Sequence, residues 1–345
     1  MKKLHTLFLA FLFLGITATQ AQLTSLFTFT GTSGAYPGGY GFGDAGPIIS
    51  GGVVYGCTSN NGAYSHGVIF SYNLTTHVYT DLYDFEDLSY VNNTTNSGAS
   101  PSGGFAISTS GTVLYGNCTS GGANGHGFIY QINTNGTGFT DIYDFASATG
   151  WTPSGSGVII SGGVLYGVTN GGGAHNQGVV WSFNTGTSTY TDLHDFYATN
   201  DHGQTPICTP LLSGGVLYGV AENYGPGGCV YSLNVSTQAF ASYNFNNGSG
   251  NGEDGFTGRI AISTDGLTLY GVDAGSNVGG NTAYLFSIGT NLSGYTVLTN
   301  GNLGVADGTG AGVILSGTKL IGAAGNNYGE FYSYDLTAHT LTTVN

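Results

Sequence analysis

Gly163-Val164-Leu165-Tyr166-Gly167 returns as Gly215-Val216-Leu217-Tyr218-Gly219, each time ahead of a polar, glycine-rich stretch and an apolar run. The Tyr-Gly pair also stands at Tyr55-Gly56, Tyr115-Gly116 and Tyr270-Gly271, and as Ile321-Gly322 in the last copy. Successive glycines of the six copies lie 60, 51, 52, 52 and 51 residues apart. A fixed period of that length marks a repeat architecture, in which each unit is one supersecondary element that cannot bury its faces alone.

The third unit shows what the element is. Gly157–Ser161 reads as a short apolar strand, Gly162-Gly163 as a tight hairpin turn, and Val164–Val168 as a second strand. A polar loop over 170–177 leads to a third strand, Gly178–Asn184, and Tyr190–Phe196 forms a fourth. No stretch beyond the first residues has helical spacing of apolar positions. The sequence therefore predicts an all-β chain, and four antiparallel strands repeated in this way predict a β-propeller. Aromatic residues recur in register at Phe70, Tyr130, Trp181, Tyr231, Phe286 and Tyr332, and again at Phe85, Phe145, Phe196 and Phe245. They are expected to pack blade against blade.

Six units give six four-stranded blades in one domain over 22–345. Seven is the alternative if the natural chain continues past Asn345. Ser25–Phe29 resembles Asp81–Phe85, a fourth strand with no unit before it. It is expected to complete the final blade, whose own fourth strand, Thr340–Asn345, is short, because closing the ring removes unpaired edges.

The run Leu165-Tyr166-Gly167-Val168-Thr169, Gly171-Gly172-Gly173 and Gly178-Val179-Val180-Trp181 resembles the GloVer tandem repeat of secreted bacterial proteins. So does Leu114-Tyr115-Gly116 with Gly121-Gly122-Ala123-Asn124 and Gly127-Phe128-Ile129-Tyr130. The resemblance covers essentially the whole chain after the leader. It implies a secreted or surface-tethered protein, often joined to a variable C-terminal anchor, and supplies no catalytic residues.

The N-terminus carries an address. Lys2 and Lys3 precede the apolar run Leu7–Ile16, and Thr19-Gln20-Ala21 ends in a small residue suited to cleavage. The run is too short to span a bilayer, so residues 1–21 read as a secretory signal peptide with no membrane insertion afterwards. Beyond it, Arg259 and Lys319 are the only Lys or Arg residues, against 18 acids. Such a surface cannot neutralise phosphates, which argues against nucleic acid or anionic lipid as partner. Only 6% of residues are charged, yet 40% are hydrophobic, so the glycine content signals turns rather than disorder. A secreted, acidic monomer is expected.

Chemistry is sparsely marked. Asp81/Asp84, Asp141/Asp144 and Asp192/Asp195 are carboxylate pairs, as acid–base or glycosidase chemistry would need. On a regular strand, however, residues three apart point to opposite faces, and recurrence by repeat marks a structural role. Asp201, Asp254, Asp265 and Asp307 lie in turns that leave calcium possible and no other cofactor. His66, His126 and His175 sit in equivalent or neighbouring loop positions and form no metal cluster by sequence. Export would permit a disulfide, most plausibly Cys208–Cys229, with buried thiols as the alternative. No nucleophile elbow, phosphate loop or zinc-peptidase motif appears, so no catalytic residue is assigned.

The loops after the Tyr-Gly strands offer the candidate binding surface. They bring Asn60, Asn61, Tyr64 and His66, then Asn124 and His126, then Asn170 and His175. Later copies bring Asn223 and Tyr224, then Asn327 and Tyr328, and Trp151 lies in a different connection. Amides beside aromatic rings suit sugars, whose hydroxyls hydrogen-bond and whose faces stack. A non-catalytic module binding glycan or a surface protein is expected; a glycan-processing hydrolase or lyase and a structural spacer are the alternatives.

Overall fold

The computed structural model describes residues 26–37, 46–86, 101–153, 157–197, 203–222, 228–245, 258–277, 280–299, 303, 312–324 and 330–344. The leader lies outside them. Among the described residues the only helical element is one 3-10 turn, Gly31–Ser33, and the strands form six antiparallel sheets. Each sheet is a blade with its four strands in sequence order. Blade three has the strands Ile159–Ser161, Val164–Thr169, Val179–Asn184 and Thr189–Asp195, close to the sequence reading. In blades one and four the innermost strand is interrupted. Ala35–Pro37 and Gln204–Pro206 pair with the far end of the second strand, while Ile48–Ser50 and Leu211–Ser213 pair with its start. An isolated bridge between Trp151 and Gly171 marks the same break in blade three.

The Tyr-Gly signature is explained by the residue opposite its glycine. Gly56, Gly116, Gly167, Gly219, Gly271 and Gly322 pair with Phe70, Tyr130, Trp181, Tyr231, Phe286 and Tyr332 on the third strand. In all six blades the aromatic ring lies over the glycine, so that an added Cβ would collide with the ring. All six aromatic residues are buried.

A second ring from the preceding blade meets the first edge-on. Phe85–Tyr130, Phe145–Trp181, Phe196–Tyr231 and Phe245–Phe286 have centroids 5.6, 5.6, 5.4 and 5.5 Å apart, with interplanar angles of 65, 61, 70 and 63°. That is the favoured T-shaped geometry of aromatic quadrupoles. One register position outward, rings stack face to face across the same seams, as in Tyr143–Tyr190 (4.3 Å, 2°) and His194–Phe240 (3.8 Å, 6°). The expected blade-to-blade packing is therefore observed.

The N-terminal segment enters this scheme without becoming a strand. Residues 26–30 have no ladder, and the sixth blade has its own fourth strand, Thr340–Val344. The expectation of a completing N-terminal strand is corrected to that extent. What the segment contributes is side chains: Phe29 meets Phe70 edge-on at 5.0 Å and Phe27 stacks on Tyr79 at 4.3 Å. These contacts reproduce Phe85 on Tyr130 and Tyr83 on Phe139, so the pair covers blade one as a preceding blade would.

Cys57, Cys118, Cys208 and Cys229 are buried thiols, and Cys208 and Cys229 are not bridged. Burial pushes the Cys57 and Cys229 thiols up to about 12. They act as small apolar core residues and are poor nucleophiles.

Candidate functional site

Strand order places the loops between second and third strands on the same face as the connections from one blade to the next. The two sets meet around blades two and three. His126, at the end of its loop, lies against Trp151, in the connection into blade three, with ring centroids 5.5 Å apart and planes inclined by 35°. His126 Nε2 is 3.1 Å from Ser147 Oγ, and the Thr152 amide donates to the His126 carbonyl at 3.0 Å. Trp151 is held from behind by its bridge to Gly171, where any Cβ would collide with the indole. Sequence reading placed these two rings in separate connections; the fold makes them neighbours, both half-buried with an edge in solvent.

A second aromatic contact lies one blade on. His175 is exposed and meets Tyr197, with centroids 5.4 Å apart. Tyr197 was not singled out by sequence; the signal that could have found it is its position directly after the buried Phe196, where the chain leaves the sheet. In blade one, Tyr64 is 51% exposed and hydrogen-bonded to Glu86, which raises its phenol pKa. His66 ends this loop, half-buried, in a bridge with Asn61.

The amides divide differently from the expectation. Asn61 has φ 62°, a left-handed turn position that suits its short polar side chain. Asn60 ends the second strand, opposite Ala35. Asn124 is exposed, yet its Nδ2 donates to the Phe145 carbonyl at 3.0 Å and ties its loop down. The Asn170 side-chain oxygen is buried, so this residue does not present its acceptor to solvent. The Asn170 oxygen is thus turned inward, Asn60 is half-buried at the strand end, and Asn61 stays exposed. Asn223, Tyr224, Asn327 and Tyr328 lie outside the described residues.

The loops are fixed by the carboxyl pairs. The registers Ile69↔Tyr83 and Phe70↔Asp81 leave Leu82 as an extra residue, a β-bulge. Ile142 and Leu193 are the corresponding bulges in blades two and three. Each bulge reverses the parity of the strand, so the two acids fall on one face and hydrogen-bond to each other. The expectation of opposite faces is corrected: it holds for a regular strand and fails at a bulge.

The second acid of each pair then accepts from the loop above it. Ala63 N, Ala123 N and Ala174 N donate to Asp84, Asp144 and Asp195 Oδ1, each at 2.6 Å. A hydrogen bond between two carboxyls needs one proton, and burial together with the neighbouring acid holds it. The pKa is raised to about 6 at Asp81, about 7 at Asp141 and about 6 at Asp192. In blade four the strand has no bulge, and Ser242 and Asn244 stand where the acids were. Bulge and acids disappear together, as a structural device would.

Asp265 has a comparable structural task. Its Oδ1 accepts from Ser263 Oγ at 2.5 Å and Leu267 N at 3.0 Å within a hairpin turn. Asp201, Asp254 and Asp307 lie outside the described residues. Among the described residues no three His, Cys, Asp or Glu side chains gather as metal ligands.

At the ring axis six inner segments of the chain, one from each blade, converge at Gly46, Gly104, Gly157, Thr209, Arg259 and Gly312. The inner ring is backbone against backbone. A Cβ at Gly157 would collide with Gly104 and one at Gly312 with Arg259, while Gly157 N donates to Thr209 Oγ1 at 2.6 Å. Among the described residues no carboxylate lines this channel.

A profile of the Gloeobacter/Verrucomicrobia repeat matches residues 52–282. The chain belongs to the Gloeobacter/Verrucomicrobia repeat family. The matched region runs from the first Tyr-Gly hairpin into the fifth blade of this repeat protein. No curated protein matches the chain.

Among solved structures, the repeat protein is similar to the hydrazine synthase of Kuenenia stuttgartiensis, with 13% identity and TM-score 0.58 over 86% of this chain and 77% of that one. A GH74 enzyme from Niastella koreensis gives 16% identity and TM-score 0.56 over 90% of this chain. The repeat protein spans only 46% of that enzyme's length. An oligogalacturonate lyase from Vibrio parahaemolyticus gives 12% identity and TM-score 0.51 over 82% of this chain and 74% of that one. At these identities the likeness shows the fold, a propeller, and carries no chemistry with it.

Proposed function

We propose that this repeat protein is a secreted or cell-surface recognition module that binds glycan, without catalysis, through the loop face of blades one to three. The observation that carries the reading is the meeting of His126 and Trp151 from successive blades, with Ser147 at hydrogen-bonding distance. A partly exposed indole beside an imidazole and a hydroxyl offers one stacking surface and two polar groups, as a sugar ring needs. Exposed Tyr64 and the His175–Tyr197 contact extend the aromatic face to either side. The apolar run of residues 7–16 supports export.

A described axial lining that holds no carboxylate, with the carboxyl pairs tied to backbone, weighs against a hydrolase or lyase. The test is an array of glycans and polysaccharides probed with residues 22–345, with and without calcium. Binding that falls at least tenfold in Trp151→Ala, with unchanged melting temperature, is the expected result. A blank array, or binding indifferent to both Trp151→Ala and His126→Ala, would overturn the reading in favour of a protein partner or a spacer. Calcium dependence would direct attention to Asp201, Asp254 and Asp307.

A further inference from the structure

Core side chains join each blade to the next from blade one through blade six, and among the described residues no core cluster joins blade six to blade one. In the packed seams the residue ahead of the third-strand aromatic faces the next blade and is sealed by it. Ile69, Ile129, Val180, Val230 and Leu285 are each 0% exposed, whereas Phe331, the sixth copy of that position, is 56% exposed. The registers Ile314↔Ile321 and Ala323↔Phe331 place Ile314, Ile321 and Phe331 on one face of blade six. Ile314 is 57% exposed as well. Blade one is open in the complementary direction. Leu114, Leu165, Leu217, Leu269 and Leu320 are 0% exposed against the blade before them, but Val54 in the same position is only half-buried. Beside it Pro47 is exposed and Ile49, opposite Val54, is 67% exposed.

These two apolar walls bound a cleft that meets the axial channel on its inner side, where Pro47, Ile48 and Ile314 are found. Its outer part is filled by the N-terminal segment, whose Phe29 and Phe27 lie on Phe70 and Tyr79 of the two outer strands of blade one. Exposure alternates along that segment, with Phe27 and Phe29 half-buried and Leu26, Thr28 and Thr30 exposed. An extended stretch thus covers half of one wall with every second side chain. The packed seams show the same solution for the wall of blade six. There the cover is supplied by alternate residues of one third strand, Trp181 and Phe183 against blade two and Tyr332 and Tyr334 against blade five. Exposed apolar surface gathered on two facing walls marks an interaction site. A sugar would leave hydroxyls without partners against these side chains.

We propose that the cleft between blades six and one docks an extended segment of a partner protein, with large apolar residues at alternate positions that lie between Phe331 and Ile314 on one side and Ile49 on the other. The probe is a capped peptide with the sequence of residues 178–184, which carries the two rings that cover this wall on blade two, extended by two lysines for solubility. Its control has both rings replaced by serine and the same lysines. Calorimetric titration of residues 22–345 should show the peptide binding roughly tenfold or more tighter than the control. Phe331→Ser and Ile49→Ser, in opposite walls, should each weaken the peptide about tenfold. Both side chains are exposed, so the melting temperature should not change, and either variant serves if the other fails to fold. Trp151→Ala should leave the peptide affinity as it is, which separates this cleft from the loop face. Equal binding of peptide and control, no saturable binding at millimolar peptide, wild-type affinity in either wall variant, or weakening by Trp151→Ala would each overturn the proposal. So would a dimer in sedimentation that Phe331→Ser dissociates, because a second copy would then fill the cleft.

Discussion

The three carboxyl pairs make the repeat protein's stability fall as the pH rises through the weakly acidic range. In the folded chain Asp81, Asp141 and Asp192 hold their protons up to about pH 6, 7 and 6, whereas an ordinary aspartate releases its proton near 3.8. Between those values the folded state binds more protons than the unfolded state, and stability decreases with pH. The contribution is fully present below about pH 4 and is lost above about pH 7. Differences of two to three units correspond to at most about 3–4 kcal/mol. Because each pair stands half in solvent, screening reduces this to about 1 kcal/mol per pair. The three together are then worth on the order of 5 °C in melting temperature for a domain of this size.

The perturbation is Asp81→Asn with Asp141→Asn and Asp192→Asn. Each amide donates to the partner acid what the shared proton donated before, with no proton to lose. Thermal unfolding followed by near-ultraviolet circular dichroism from pH 4.5 to pH 8 should show the wild type losing roughly 5 °C more than the triple variant over that range. A smaller slope remains in the variant, because burial also raises Asp273 to about 6 and raises Glu222. Asp265 and Asp335 are shifted downward, so they titrate below the window and do not offset it. A flat wild-type profile, or a triple variant with the full wild-type slope, would refute the shared-proton account.

Gly167→Ala would force a methyl group into the Trp181 ring and should cost about 2–3 kcal/mol in urea unfolding, whereas the same change at the turn Gly162 meets no neighbour and costs only about 1 kcal/mol, for its left-handed φ of 58°. Phe196→Ala empties the seam between blades three and four and should cost about 3–5 kcal/mol by the same measurement. Phe29→Ala should destabilise blade one through Phe70, read as loss of hydrogen-exchange protection in Val68–Asn73 ahead of the other blades. Ala174 leads a loop fixed by Asp195, so Asp195→Asn should weaken that bond and raise exchange at the Ala174 amide while leaving Val179–Asn184 protected.

Fold and site were unequally legible in the sequence. Strand order and blade count follow from the Tyr-Gly period because the cause is local: each glycine faces one aromatic ring on the next strand, and every unit repeats the pair. The bulges were legible too, though only by comparing blades. Tyr190 to Phe196 spans one residue more than Phe240 to Phe245, and that extra residue is Leu193. Reading each strand as regular hid the meeting of the acids. The contact between His126 and Trp151 could not be read in the same way. It depends on how far a connection of irregular backbone carries the chain across a seam, and no periodicity encodes that distance. Amides that build turns, as Asn61 does at its left-handed position and Asn124 by bonding the Phe145 carbonyl, have the same composition as amides that meet ligands.

The glycine contacts at the axis have a consequence for how this protein can vary over generations. A ring with one more blade has a wider bore, and its inner strands no longer touch at Gly157 and Gly312. Duplication of a single repeat, otherwise the simplest change a tandem gene undergoes, would leave bare backbone facing an oversized hole. The lineage is held to its number of blades by the smallest of its residues, and could add another only by giving side chains to those glycines at the same time.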